Sequence, residues 1–250
     1  MIHIPRLSTF SIVAYDPQAQ EWGIAVQSKF LAVGAVVPWA QAGAGAVATQ
    51  SYANTSFGPN GLALMAQGLS AQEALDQLIA EDEGRARRQV GLVDAQGRAA
   101  TFTGDECIAW AGGVIGTYYA AQGNILVSSA TVEALAKTFE GAQGELSDRL
   151  VTALAAGQAA GGDRRGRQSA AVLVVRPEGG YSGFNDRYLD LRVDDDPEPI
   201  EQLKALVDLH HLFFKPPAPG EMIAIEGDLA REVQHILQWA GYYDGPITGE

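Results

Sequence analysis

The chain has a single cysteine, Cys107, in 250 residues. That excludes an intramolecular disulfide and any zinc site built from several thiolates. Basic residues are also scarce, with 17 Lys and Arg against 30 Asp and Glu, a formal net charge of −13. A surface of that sign argues against nucleic acid and anionic membranes as partners. Long apolar runs are missing, so no segment has the roughly 18 uninterrupted apolar residues expected of a membrane helix. The opening MIHIPRLSTFSIVAYD lacks the charged and apolar regions of a signal peptide. A reducing cytoplasm is the expected location. Histidine is limited to His3, His210, His211 and His235, with no H-E-x-x-H and no G-x-S-x-G in the chain. Neighbouring helical positions do not share a face, so His210 and His211 make a poor metal pair. No metal and no cofactor is expected. GAGAVA, from Gly43 to Ala48, has dinucleotide-loop spacing, but the residues after Gly45 read as a strand and no acidic residue appears before Glu73.

What remains is an ordinary globular composition, 47% hydrophobic and 19% charged. TFSIVAYD and EWGIAVQSK read as two strands joined by a turn at Asp16-Pro17. LAVGAVVPWA and AGAVATQS read as two more. GPNGLALMAQG and SAQEALDQLIAED read as helices, the second with Ser70 and Glu73 at capping-box spacing and an apolar face of Ala74, Leu75, Leu78 and Ile79. RQVGLVDAQGRAATFTG reads as a hairpin turning near Gln96-Gly97. ATVEALAKTFE and ELSDRLVTALAAG read as helices, the latter ended by Gly157. SAAVLVVR has the continuous apolar character of a strand covered on both faces, with RYLDLRV as its neighbour. VDDDP is read as the cap of a long helix, PEPIEQLKALVDLHHLFF, in preference to a calcium loop. The order of elements suggests a layered α+β fold, with two packed sheets and helices outside. KPPAPGE, from Lys215 to Glu221, reads as a linker.

Ser8 and Thr9 stand at the mouth of the first strand. A hydroxyl is a weak nucleophile without a base. With no suitable histidine, an α-amino group of pKa about 8 is one alternative. A polar strand start is the other reading of the same residues.

Several long motifs resemble one bacterial family, the domain of unknown function 1028. They are STFSIVAYDPQAQEWGIAVQSKFLAVGAVVPWAQAGAGAVATQSYAN, GLALMAQGLSAQEALDQL, QGNILVS, AAGQAAGGDRRGRQSAAVLVV and NDRYLDLRVDDDPEPIEQL. The likeness runs from Ser8 to about His211. That family resembles the N-terminal-nucleophile (Ntn) hydrolases, which implies a four-layer αββα sandwich over residues 1–214 and an amide-hydrolysing activity. EGDLAREVQHILQWAGYYDGPITGE resembles the first half of a peptidoglycan-binding module. It implies a linker at 215–226, a short helical appendage at 227–250 and a peptidoglycan fragment as a possible partner. A homo-oligomer is also expected.

By position in the family motif, Thr9 is the candidate nucleophile, with Ser8 beside it. Eight residues precede Thr9, and an active Ntn enzyme would have lost them by cleavage. Proteasome-like relatives carry a lysine on the third strand, whereas this chain has Lys29 just after the second. On such a scaffold GGDRRGRQ would bring Asp163, Arg164, Arg165, Arg167 and Gln168 to one end of the core. Arginine forks bind carboxylates in pairs of hydrogen bonds. The partner is a substrate carboxylate or one from the protein itself, with Asp163, Asp186 and Asp190 as internal candidates. ATQSYANTSFG would form the other wall, where Gln50, Tyr52 and Asn54 offer neutral donors and acceptors. Ser28 and Asn124 are further candidates for substrate contact or an oxyanion hole. The expected function is hydrolysis of a small carboxylate-bearing amide. The alternatives are a non-catalytic binder of small molecules or cell-wall fragments on the same scaffold, and an adaptor acting through the tail.

Overall fold

The computed structural model describes residues 9–215 and 224–250. Ser8 and most of the expected linker therefore lie outside the described residues. The chain divides into two compact units, Met1–His210 and His211–Glu250.

The first unit begins with a hairpin of β1 (Thr9–Asp16) and β2 (Glu21–Ser28). Asp16 makes the turn: its Oδ1 accepts from the backbone N–H groups of Gln18 and Ala19 at 2.8 and 3.1 Å. LAVGAVVPWA is not a strand throughout. Ala32 is left-handed (φ 54°) and a short helical turn occupies Val33–Ala35. A Cβ on Gly34 would lie 2.7 Å from that of Ala171, so the segment is folded down onto the sheet. Only then do β3 (Pro38–Gln41) and β4 (Gly45–Ser51) begin.

Helices α1 (Phe57–Ala66) and α2 (Ala71–Ala80) come next. The capping box forms as expected, with Ser70 Oγ accepting from Glu73 N at 3.2 Å and Glu73 Oε2 accepting from Ser70 N at 2.8 Å. Ser70→Ala should cost about 1 kcal/mol, lowering the melting temperature by about 2–4 °C in calorimetry.

The hairpin of β5 (Arg88–Asp94) and β6 (Ala99–Thr103) turns at Gly97, whose φ of +81° suits glycine. A second hairpin, β7 (Gly112–Gly116) and β8 (Tyr119–Asn124), was not legible from the sequence. After it stand α3 (Ala130–Gly141) and α4 (Leu146–Ala159). Gly157 does not end α4. It is buried inside it, where a Cβ would lie 3.1 Å from Leu135 Cγ and 3.3 Å from Phe10 Cε2. It is a close-packing position. Then β9 (Ser169–Val175), buried throughout, pairs with β10 (Arg187–Val193). Helix α5 (Pro199–Phe214) starts just after Asp196, whose Oδ1 accepts from Glu198 N at 2.7 Å.

Among the described residues the strands form two antiparallel sheets. One has six strands in the order β10-β9-β2-β1-β8-β7, the other four in the order β3-β4-β5-β6. Helices α3 and α4 pack on the first sheet through Leu135, Phe139, Leu150 and Leu154 against Phe10, Ile12 and Val172. Helices α1 and α2 pack on the second through Leu62, Leu75 and Leu78 against Val47, Val90 and Leu92. Between the sheets, Val13, Trp22, Ile24 and Leu173 meet Ala46, Ala48 and Val93. The second unit contains α6 (Gly227–Trp239), closed back on itself by Gly227 N–H donating to the Gly249 carbonyl at 2.8 Å.

One buried carboxylate sits where β2 starts. Glu21 is 3% exposed and pairs with Arg176 Nη1 at 3.0 Å. Burial raises its pKa above the ordinary 4.5, and Arg176 only partly offsets this. The folded state thus holds the proton more tightly than the unfolded chain. This residue's contribution to stability is full below pH 4.5 and falls as pH rises through the folded-state pKa. Glu21→Gln should flatten that part of the profile, as read by urea midpoints at about pH 4 and about pH 7.

Candidate functional site

The layer between the sheets changes character along its length. At one end it is apolar, around Trp22, Ile24 and Val93. At the other it holds Thr9, Ser11, Ser28, Gln50, Gln89, Gln122 and Asn124, all at most 1% exposed. Strand alternation puts them there. Thr9 and Ser11 on β1 lie opposite Asn124 and Gln122 on β8, and Thr9 also lies opposite Ser28 on β2. Gln50 on β4 lies opposite Gln89 on β5 in the facing sheet. None of these side chains is ionisable at neutral pH.

Their hydrogen bonds form one connected network. Ser11 Oγ donates to Gln50 Oε1 at 2.6 Å and accepts from Gln122 Nε2 at 2.7 Å. Gln50 Nε2 and Asn124 Nδ2 both donate to Gln89 Oε1, at 2.8 and 2.9 Å. Gln89 Nε2 donates to the Gly123 carbonyl at 2.8 Å and to Thr103 Oγ1 at 2.8 Å. Gly91 is required by the same network, because a Cβ there would lie 2.1 Å from Gln122 Oε1. Gln89, Gln122 and Ser11 were not singled out from the sequence.

Thr9 Oγ1 donates to Ser28 Oγ at 3.3 Å, and the Thr9 side chain is completely buried. Among the described residues no histidine, lysine or carboxylate bonds this hydroxyl. Lys29 is exposed, its Nζ donating to the Arg167 carbonyl at 3.3 Å. Two left-handed residues directly succeed the amides. Ser51 (φ 70°) comes after Gln50, and Ile125 (φ 52°) after Asn124. A β-branched residue held in that region is strained, a condition that clusters at functional sites.

The arginine loop borders the same end. Asp163 is its anchor, with a fully buried side chain whose oxygens accept from Lys29 N at 2.9 Å, Arg165 N at 2.8 Å and the Arg165 guanidinium. Arg167 pairs with Glu198. Arg164 has no carboxylate partner among the described residues; its Nη2 donates to the Leu126 carbonyl at 3.2 Å and its backbone N–H to the Ile125 carbonyl at 3.0 Å. Gln168 ties the loop to the second strand, its N–H donating to the Ser28 carbonyl at 3.1 Å. Asp186 and Asp190 serve elsewhere: Asp186 accepts from Ala42 N, and Asp190 pairs with Arg187 and Arg192.

The segment after β4 is pinned by its own contacts. Arg88 Nη1 donates to the Tyr52 carbonyl while Arg88 pairs with Asp82. That pair holds the Asp82 carboxyl below its usual range. Asn54 Oδ1 accepts from Ser56 N and Ser56 Oγ, which starts the turn into α1. The lone cysteine, Cys107, lies beside this end, its Sγ 3.5 Å from Ser51 Oγ, and burial pushes its pKa up. A raised pKa removes the thiolate character that a nucleophilic cysteine needs.

No curated protein matches this chain. A crystal structure of a Silicibacter pomeroyi protein, described as a member of family DUF1028, is 32% identical to it. The likeness has a TM-score of 0.75 and covers 82% of this chain and 89% of that one. Residues 9–203 match the family of unknown function DUF1028, and the match begins at Thr9 itself. The chain therefore belongs to the DUF1028 family.

Proposed function

We propose that this protein is an amidohydrolase of the N-terminal-nucleophile type, with its helices and sheets arranged as the αββα sandwich of that class. Thr9 is the nucleophile once the peptide bond before it is cut. The observation that carries this reading is Thr9 itself: it opens β1, and its hydroxyl projects into the polar end of the inter-sheet layer. No side-chain base stands within hydrogen-bonding reach there among the described residues. A freed α-amine on the same residue would supply one, with a pKa of about 8.

In that mechanism Thr9 Oγ attacks the substrate carbonyl carbon, and the α-amine takes the hydroxyl proton. The C–N bond breaks, the proton passes to the departing amine, and water hydrolyses the resulting ester. Arg164 supports a carboxylate-bearing substrate, because it is the loop guanidinium left without an acidic partner among the described residues. The test is the intact mass of the purified protein. Loss of residues 1–8, leaving Thr9 first, is expected. A chain that stays whole and yet hydrolyses amides would overturn the mechanism.

Complete burial of Thr9 favours a second reading, a non-catalytic binding protein on the same scaffold. A whole and inactive chain that still binds a small carboxylate would select it. Action on cell-wall fragments through the second unit rests only on the sequence likeness of its helix and turn to a peptidoglycan-binding module.

A further inference from the structure

The polarity of the buried amide network is fixed at one point. Gln89 is fully buried, and its Nε2 faces the Gly123 carbonyl at 2.8 Å and the Gly112 carbonyl at 3.2 Å. A backbone carbonyl can only accept. The nitrogen of Gln89 must therefore lie on that side and its oxygen on the other. Gln89 Oε1 then has to be given protons, and Gln50 and Asn124 both give them. Gln50 turns its own oxygen to Ser11, which donates to it at 2.6 Å. Asn124 has committed its amide nitrogen to Gln89, so its carbonyl, Oδ1, is the atom on its remaining side. Asn124 stands directly opposite Thr9 in the β1–β8 register, and directly opposed side chains lie about 5 Å apart at Cβ.

We propose that Gln89 is a positioning residue for the Thr9 site: it locks Asn124 as a hydrogen-bond acceptor, and Asn124 Oδ1 holds the α-amine of Thr9. The role rests on the cleavage proposed above. An acceptor beside the amine favours the protonated form. Loss of the lock lets the Asn124 amide turn its N–H groups toward the amine, which favours the neutral form.

The test uses the cleaved protein and acetic anhydride, following acetylation of the Thr9 α-amine against pH by peptide mass. Gln89→Met should move the midpoint of that curve to lower pH by about half a unit or more. Asn124→Asp, which places a charged acceptor at the same position, should move it up. Opposite shifts in the two variants support the role, and a lost network alone would not produce them. An unchanged midpoint in both variants, or a shift of the same sign, overturns it while leaving the proposed hydrolase standing. Should Gln89→Met fail to fold, Gln89→Leu takes its place, with the same downward shift expected. A wild-type chain that is never cut before Thr9 ends both readings together.

Discussion

Thr9→Val should leave the chain uncut and its hydrolytic activity lower by on the order of 10⁴-fold or more, with the fold almost unchanged. Valine keeps the shape and the β-branch that the first residue of a central strand favours. What it removes is one hydroxyl, whose only side-chain bond among the described residues is the 3.3 Å contact to Ser28. That bond is long, so its loss should cost no more than about 1 kcal/mol, or about 2–4 °C in melting temperature. The disparity between the two effects is what identifies a nucleophile. Thr9→Ser retains the hydroxyl and should retain cutting. Intact mass, melting temperature and amidase assays on the three proteins check this together. Cutting and hydrolysis at wild-type rates in Thr9→Val would remove Thr9 from the mechanism.

The largest loss of stability is expected at Asp163. Its buried carboxylate serves Lys29 N, Arg165 N and the Arg165 guanidinium at once. Asp163→Ala strands the Lys29 amide at the end of β2 and removes the carboxylate that accepts from the Arg165 guanidinium. Breaking a buried pair of this kind costs about 3–5 kcal/mol, and the upper half of that range is discounted because the Arg165 side chain is 34% exposed. A fall of about 10 °C in melting temperature is expected. Asp163→Asn keeps one acceptor oxygen for a backbone N–H and should lose clearly less. If Asp163→Ala melts within about 3 °C of the parent, the loop is not a clamp. Its other contacts, such as Gln168 N to the Ser28 carbonyl, would then suffice to hold it.

The elements that could be read from sequence are those whose cause is local. The Asp16 turn, the Ser70–Glu73 box and the unbroken apolar run of β9 each specify themselves within a few residues. The hairpin of β7 and β8 does not. GGVIG is rich in glycine, and YAAQGN carries Gln122 and Asn124 at inward positions, which hides the alternation expected of a half-buried strand. Those amides make sense only beside Gln50, Gln89 and Ser11, which lie far away in sequence and on other strands. The same distance explains the candidate site. Gln50 and Asn124 stood out because of the motifs around them, while Gln89, to which both donate, sits in a strand with no such motif. Gly157 had the right composition for a helix stop. The contact with Phe10 and Leu135 that makes it a packing position is tertiary. The arginines were legible as a cluster. Their division into Arg165 and Arg167, held by Asp163 and Glu198, and Arg164, held by a carbonyl, required the folded loop.

Strand β1 lies in the interior of its sheet, between β2 and β8. On the ribosome this sets a waiting time. The β1–β2 ribbon is complete almost as soon as it is synthesised, but β8 and β9, which cover its two open edges, come from much later in the chain. At the synthesis rates of living cells that interval is on the order of ten seconds. Throughout it, a strongly apolar two-stranded ribbon presents unpaired edges, a form of exposure that invites wrong pairing. The residues opposite Thr9 in the sheet arrive on the same schedule: Ser28 at once, Asn124 only later. Any chemistry at Thr9 that depends on Asn124 thus waits until β8 has been made and paired with β1.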